Sequence, residues 1–132
     1  MEPTEPTEIS LDLPPLPESV AAARRALDEL EDAVPAERLE NLRLLVSELV
    51  TNAVRHAGLA EKDEISLRVT VSEETVGVEV KDPGVGFAPS LLEGPHPENG
   101  SGWGLPIVEK VSDRWEARRE DGETRVWFEL DL

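Results

Sequence analysis

Glu48 and Asn52 stand four residues apart in SELVTNAVRHA, Ser47 to Ala57, inside an otherwise apolar helical run. A four-residue helical step advances about 6 Å and returns near the same side, so the carboxylate and the amide open into one space. Leu49 and Ala53, one position later, turn to the core. A carboxylate left without partners inside a fold is costly, so this face is either wet or binds something. Glu48 has the chemistry to take a proton from a hydroxyl, and Asn52 offers a neutral carbonyl oxygen to Mg2+, a hard cation that prefers oxygen ligands. The alternative is a solvated helix edge on which Glu48 pairs with an arginine such as Arg55.

Three further stretches carry chemistry. In KDPGVGF, Lys81 to Phe87, Asp82 sits where a strand must turn. Pro83 fixes its own φ and restricts Asp82, while Gly84 and Gly86 permit conformations closed to other residues. An aspartate so held can accept a hydrogen bond from the exocyclic amine of adenine; guanine would present a carbonyl there, acceptor against acceptor. In NGSGWGLPIV, Asn99 to Val108, Gly100, Gly102 and Gly104 alternate just before a helix, where unpaired N–H groups and the macrodipole favour an anion such as phosphate. The G-x-x-x-x-G-K-[ST] pattern is absent, so this is not a P-loop. In GETRVWF, Gly122 to Phe128, Thr124 follows a turn and opens the last strand; its hydroxyl can reach a base or the Asp82 carboxylate, or serve only as a β-branched strand residue.

The elements that must position these groups are read from periodicity. ISLDL, Ile9 to Leu13, alternates as a strand. Val20, Ala23, Leu27, Leu30 and Val34 follow at helical spacing with Ser19 as the expected cap and Pro35 as the stop. A second helix starts near Ala36 and runs to about His56, with Leu39, Leu42, Val46, Leu49 and Ala53 on its core stripe and Gly58 beyond its end. ISLRVTVS and TVGVEVKD alternate around Glu73-Glu74 as a hairpin. Residues 83–104 are too rich in Gly and Pro for a regular element longer than one turn, and a loop of this length inside a compact domain is usually functional or disordered. LPIVEKVSD is a short helix with Pro106 in its first turn, and WEARRE and TRVWFELDL are two more strands. Trp115 and Trp127 are expected in the core or on the sheet face. The order predicts an α+β sandwich with helices on one face of a mostly antiparallel mixed sheet. Residues 1–8 read as a flexible acidic tail and residues 9–132 as a single domain.

Composition narrows the function classes. With 29 acidic against 13 basic residues the net charge is -16, which repels a phosphodiester backbone and leaves no basic stripe for nucleic acid or anionic lipid. Cysteine is absent, which removes disulfide, thiolate-metal and thiol redox chemistry. No signal peptide or membrane-length apolar run occurs, so a soluble cytoplasmic protein is expected. No Lys or Arg lies between Lys81 and Lys110. A bound triphosphate would therefore be met by Mg2+, by loop amides and by residues from elsewhere in the fold.

In order and spacing these stretches resemble the GHKL, or Bergerat-fold, ATPases, and within them the small anti-sigma-factor branch of serine/threonine kinases. SELVTNAVRHA matches the N-box, DPGVGF and GSGWGL the first and second glycine boxes, and the turn before Thr124 a third. The match spans Ile9 to Leu132. The resemblance implies that Glu48 is the general base, Asn52 the Mg2+ ligand, and Asp82 the adenine-reading carboxylate, with Gly84 and Gly86 shaping its turn. It places Gly102 and Gly104 at the phosphates, with Gly100, Trp103 and Leu105 in the same nucleotide-binding stretch, and Thr124 near the adenine. A short ATP lid over residues 88–101 is also implied, here without a basic residue, and Glu123 stands where a glycine often precedes the threonine. The implied activity is Mg-ATP-dependent phosphorylation of an anti-anti-sigma (STAS-like) partner, with a sigma factor as alternative ligand, transcriptional control by partner switching, and a homodimer. The alternative is a nucleotide-gated protein-binding module of the same fold without phosphoryl transfer. A histidine kinase fits less well, because only one helix precedes the N-box and the histidines are His56 and His96. Neither is expected to be catalytic.

Overall fold

The computed structural model describes residues 7–56, 58–84 and 105–132. The elements run β1 (Thr7–Leu13), α1 (Glu18–Ala26), a 3-10 turn (Leu27–Leu30), α2 (Ala36–His56), β2 (Ile65–Val71), β3 (Thr75–Asp82), α3 (Leu105–Val111), β4 (Arg114–Glu120) and β5 (Glu123–Asp131). The strands form one sheet in the order β1-β2-β3-β5-β4. The α+β architecture matches the expectation, with one difference: the described sheet is antiparallel throughout, not mixed. The crossover through α3 returns β4 parallel to β3 but one position away. β5 fills that position antiparallel to both, so no parallel ladder forms.

Alternation builds the buried face. Ile65, Leu67, Val69 and Val71 on β2, Val76, Val78 and Val80 on β3, and Val126, Phe128 and Leu130 on β5 are all buried. From the helical side come Leu39, Leu42, Leu45, Val46, Leu49, Val50 and Ala53 of α2, joined by Ala23, Leu27, Leu30 and Val34. α2 packs against α1, α3, β3 and β5 and so ties the helices to the middle of the sheet.

The first helix departs from its expected form. It ends as an α-helix at Ala26 and tightens into the 3-10 turn, whose three-residue period puts the fully buried Leu27 and Leu30 on one side. Ser19 is not the cap: Pro17 holds that position, and the buried Ser19 hydroxyl donates to the Pro14 carbonyl at 2.5 Å, fastening the helix to the end of β1. α2 follows the expected bounds, and Gly58 beyond it has φ 66. The β4–β5 hairpin turns through Asp121 and Gly122 with φ 53 and 78, the left-handed pair that matches the twist of antiparallel strands.

The other sheet face carries Arg68, Glu79, Trp127 and Glu116 side by side in register. Arg125 pairs with Glu79, Arg114 with Glu129 and Arg118 with Glu116. Trp127 is half-buried among these groups, whereas Trp115 packs against the core. No described helix is long and apolar enough to cross a membrane.

Phe128 is fully buried at the centre of β5, between β3 and β4. Phe128→Ala should cost about 3–5 kcal/mol of folding stability, read as a lower urea midpoint with little change in slope.

Candidate active site

α2 presents two different environments on neighbouring positions. Asn52 lies at the margin of the core stripe with 2% exposure, and Glu48 one turn earlier is half-buried. Both polar atoms of the Asn52 amide are buried, and neither has a hydrogen-bond partner among the described residues. Burying such a group unsatisfied is costly, and it marks the place as one built to meet something else. No ion pair joins Glu48 to Arg55 among the described residues, so the solvated-edge alternative lacks its expected partner.

Asp82 is the last member of the buried stripe that begins Val76, Val78, Val80, so strand alternation alone turns its carboxyl toward the helices. It is only 6% exposed. Its Oδ1 accepts the Gly84 N–H at 2.9 Å, which closes the Asp-Pro-Gly turn. Directly across the ladder is Thr124, the polar end of the buried stripe Val126, Phe128, Leu130. The Thr124 hydroxyl, 2% exposed, faces the Gly84 carbonyl at 3.5 Å, a long contact that binds the turn loosely to β5. Two valine-rich stripes thus end side by side in an acid and a hydroxyl, on the sheet face that α2 covers.

Burial pushes the Asp82 carboxyl above the usual aspartate range; the Gly84 N–H and the Arg119 charge pull it down, while Glu123 and Asp63 push it up. Arg119 and Asp63 did not figure in the sequence reading. The signal for Arg119 was the alternation of WEARRE, which puts Trp115, Ala117 and Arg119 on one face; Asp63 had none, because it comes from the loop before β2.

The structure thus brings Asp82, Gly84 and Thr124 together and places Glu48 and Asn52 on the helix packed over their strands. Leu105 opens α3, which packs against α2. Gly86, Gly100, Gly102, Trp103, Gly104 and the proposed lid lie outside the described residues. Among the described residues no cluster of three or more acidic or histidine side chains gathers as a metal cage. Mg2+ takes oxygen ligands, and the Asn52 amide, without a hydrogen-bond partner among the described residues, would be the group to hold it here.

Both buried polar groups predict a trade between stability and site chemistry. Asn52→Leu, close in volume, should raise the stability of the ligand-free protein by about 1–3 kcal/mol in urea denaturation. Asp82 favours its neutral form in the fold, so its contribution is present below the ordinary aspartate pKa and is lost as pH rises through the raised value. Asp82→Asn should therefore be more stable than the parent at neutral pH, and the difference should shrink on acidification, as followed by thermal unfolding across pH.

Comparison with known proteins bears on the family and the fold. A family model described as a histidine kinase-like ATPase domain matches residues 13–130. The serine-protein kinase RsbW of Listeria monocytogenes serovar 1/2a is 36% identical over 83 residues, 61% of this chain and 53% of that one. The serine-protein kinase RsbW of Oceanobacillus iheyensis is 31% identical over 118 residues, 80% of this chain and 75% of that one. This chain thus spans about half the length of the Listeria relative. The crystal structure of the RsbU and RsbW domains of Rv1364c from Mycobacterium tuberculosis superposes with a TM-score of 0.72 at 19% identity, covering 94% of this chain and 32% of that one, a likeness of fold. With the family model spanning β1 to β5, the chain belongs to the histidine kinase-like ATPase domain family.

Proposed function

We propose that the chain is an ATP-binding serine/threonine protein kinase of the anti-sigma-factor type, which phosphorylates an anti-anti-sigma partner in the cytoplasm and controls transcription through partner switching. The observation that carries the reading is the buried amide of Asn52, without a hydrogen-bond partner among the described residues, one helical turn from a half-buried carboxylate and on the helix packed over the strands of Asp82 and Thr124. The names of the relatives, serine-protein kinases, support the same class.

In this reading ATP is the phosphoryl donor. Asp82 accepts the adenine amine, Thr124 and the Gly84–Gly86 turn shape the base pocket, and Gly102 and Gly104 meet the phosphates, with Gly100, Trp103 and Leu105 in the same nucleotide-binding stretch. Asn52 holds Mg2+, which when bound neutralises phosphate charge that no lid lysine or arginine meets. Glu48 orients the partner's serine hydroxyl and takes its proton as that oxygen forms its bond to the γ-phosphorus and the bond to the β-phosphate oxygen breaks. Catalysis of this kind is mostly positioning and charge stabilisation. A half-exposed base suits a substrate that is itself a protein, because the hydroxyl must arrive from outside. A sigma factor as alternative ligand and a homodimer belong to the same proposal.

The test is incubation with labelled ATP and Mg2+ in the presence of candidate partner proteins. Label should appear on a partner serine, and Glu48→Ala should lower the transfer rate by about 10²–10⁴-fold while ATP affinity changes only a few-fold. Label transferred equally by Glu48→Ala would remove the base from Glu48. ATP held without transfer by the parent chain would favour the nucleotide-gated binding module.

A further inference from the structure

Arg119 occupies a position that nothing in the proposed function assigns. On β4, Trp115, Ala117 and Arg119 face the helices, and the first two pack against the core. Arg119 is the register partner of Thr124, and Thr124 is the register partner of Asp82. The row Asp82–Thr124–Arg119 therefore crosses three neighbouring strands on one face. Adjacent strands lie about 4.8 Å apart, so the two outer Cα atoms are roughly 10 Å apart, most of which an arginine side chain covers.

The charges around Asp82 all act from named positions. Glu123 at the start of β5 and Asp63 in the loop before β2 both oppose its ionisation, as does burial. α2 contributes the uncharged Asn52 and, one turn earlier, the half-buried acid Glu48, which is not among the groups that shift Asp82, and Lys81 points to the opposite sheet face. Only the Gly84 N–H and Arg119 favour the carboxylate. The other arginines of β4 and β5 are committed elsewhere: Arg114, Arg118 and Arg125 are paired with acids on the far face. Arg119 has no ion pair among the described residues and is exposed at the rim of the site.

We propose that Arg119 is a positioning residue of the adenine end: acting across Thr124, its guanidinium holds Asp82 as the carboxylate that accepts the base's exocyclic amine. This rests on the adenine-reading role of Asp82. The chemical reason is donor–acceptor matching. A protonated Asp82 would carry its own donor, and in the orientation that meets the amine it would oppose donor to donor. In a chain of net charge -16, Arg119 adds to the Gly84 N–H in drawing the buried acid toward its carboxylate form against burial, Glu123 and Asp63.

The test compares the parent chain with Arg119→Gln and Arg119→Lys. The Asp82 carboxyl is followed by carbon NMR in the ligand-free protein, and Mg-ATP affinity is measured on both sides of the carboxylate range. In Arg119→Gln the Asp82 midpoint should move to higher pH, and the loss of ATP affinity on acidification should grow by roughly threefold or more relative to the parent. Arg119→Lys, which keeps the charge, should restore most of both. An unmoved Asp82 titration in a variant that still binds ATP would overturn the role of Arg119 alone. A shifted titration in a protein whose parent binds no Mg-ATP at any pH would overturn the adenine reading, and the positioning role with it.

Discussion

The packing of α2 across β3 and β5 is the constraint on which the candidate site depends. Leu42, Val46, Leu49, Val50 and Ala53 belong to the buried core, and α2 meets the sheet through β3 and β5 while α1 and α3 flank it. Once they are seated, the neighbouring positions have no freedom: Asn52 is drawn under the rim of the core and Glu48 is left half in solvent. The geometry of the polar groups follows from where the apolar ones must go. The two stripes that accept α2 then run out, at one end of the sheet, into Asp82 and Thr124.

That arrangement is unfavourable for the isolated chain. An amide whose two polar atoms are buried without a hydrogen-bond partner among the described residues, and a carboxyl whose burial favours protonation, each subtract from folding stability. Groups of this kind mark sites selected for something other than folding, because a leucine and a valine would serve the core better. A ligand that supplied an amine to Asp82 and a cation to Asn52 would relieve both costs. It would stabilise the folded state by mass action.

The parts of the fold set by local period were legible from sequence. α2 and the β2–β3 hairpin came through because a 3.6-residue stripe and a strict two-residue alternation are each hard to satisfy in any other way. Glu48, Asn52, Asp82 and Thr124 were singled out by residue type and motif, and a contact between Thr124 and Asp82 was among the expectations, but their register across β3 and β5 depends on strand order, which a chain does not state locally. The first helix was misread for a related reason. Leu27 and Leu30 fit a helical spacing and a 3-10 spacing equally well, and Ser19 looks like a cap until Pro14 is seen to accept its hydroxyl proton. Arg119 was passed over because a lone arginine in a charged strand carries no motif, and its meaning appears only when β4 is laid beside β5.

The tight hairpin at Asp121 and Gly122 bears on all of this. Strand side chains alternate with a period of two, so a slip of one residue between β4 and β5 would rotate one strand's set of side chains to the opposite surface. Arg119 would then join Arg114 and Arg118 among the exposed acids, and Trp115 would be traded out of the interior. The left-handed pair of turn residues allows only a two-residue connection with matching twist. The bend just before Thr124 therefore acts as the frame-keeper of the sheet, and lengthening it by a single residue would silence the cation at the rim without replacing any side chain that meets a ligand.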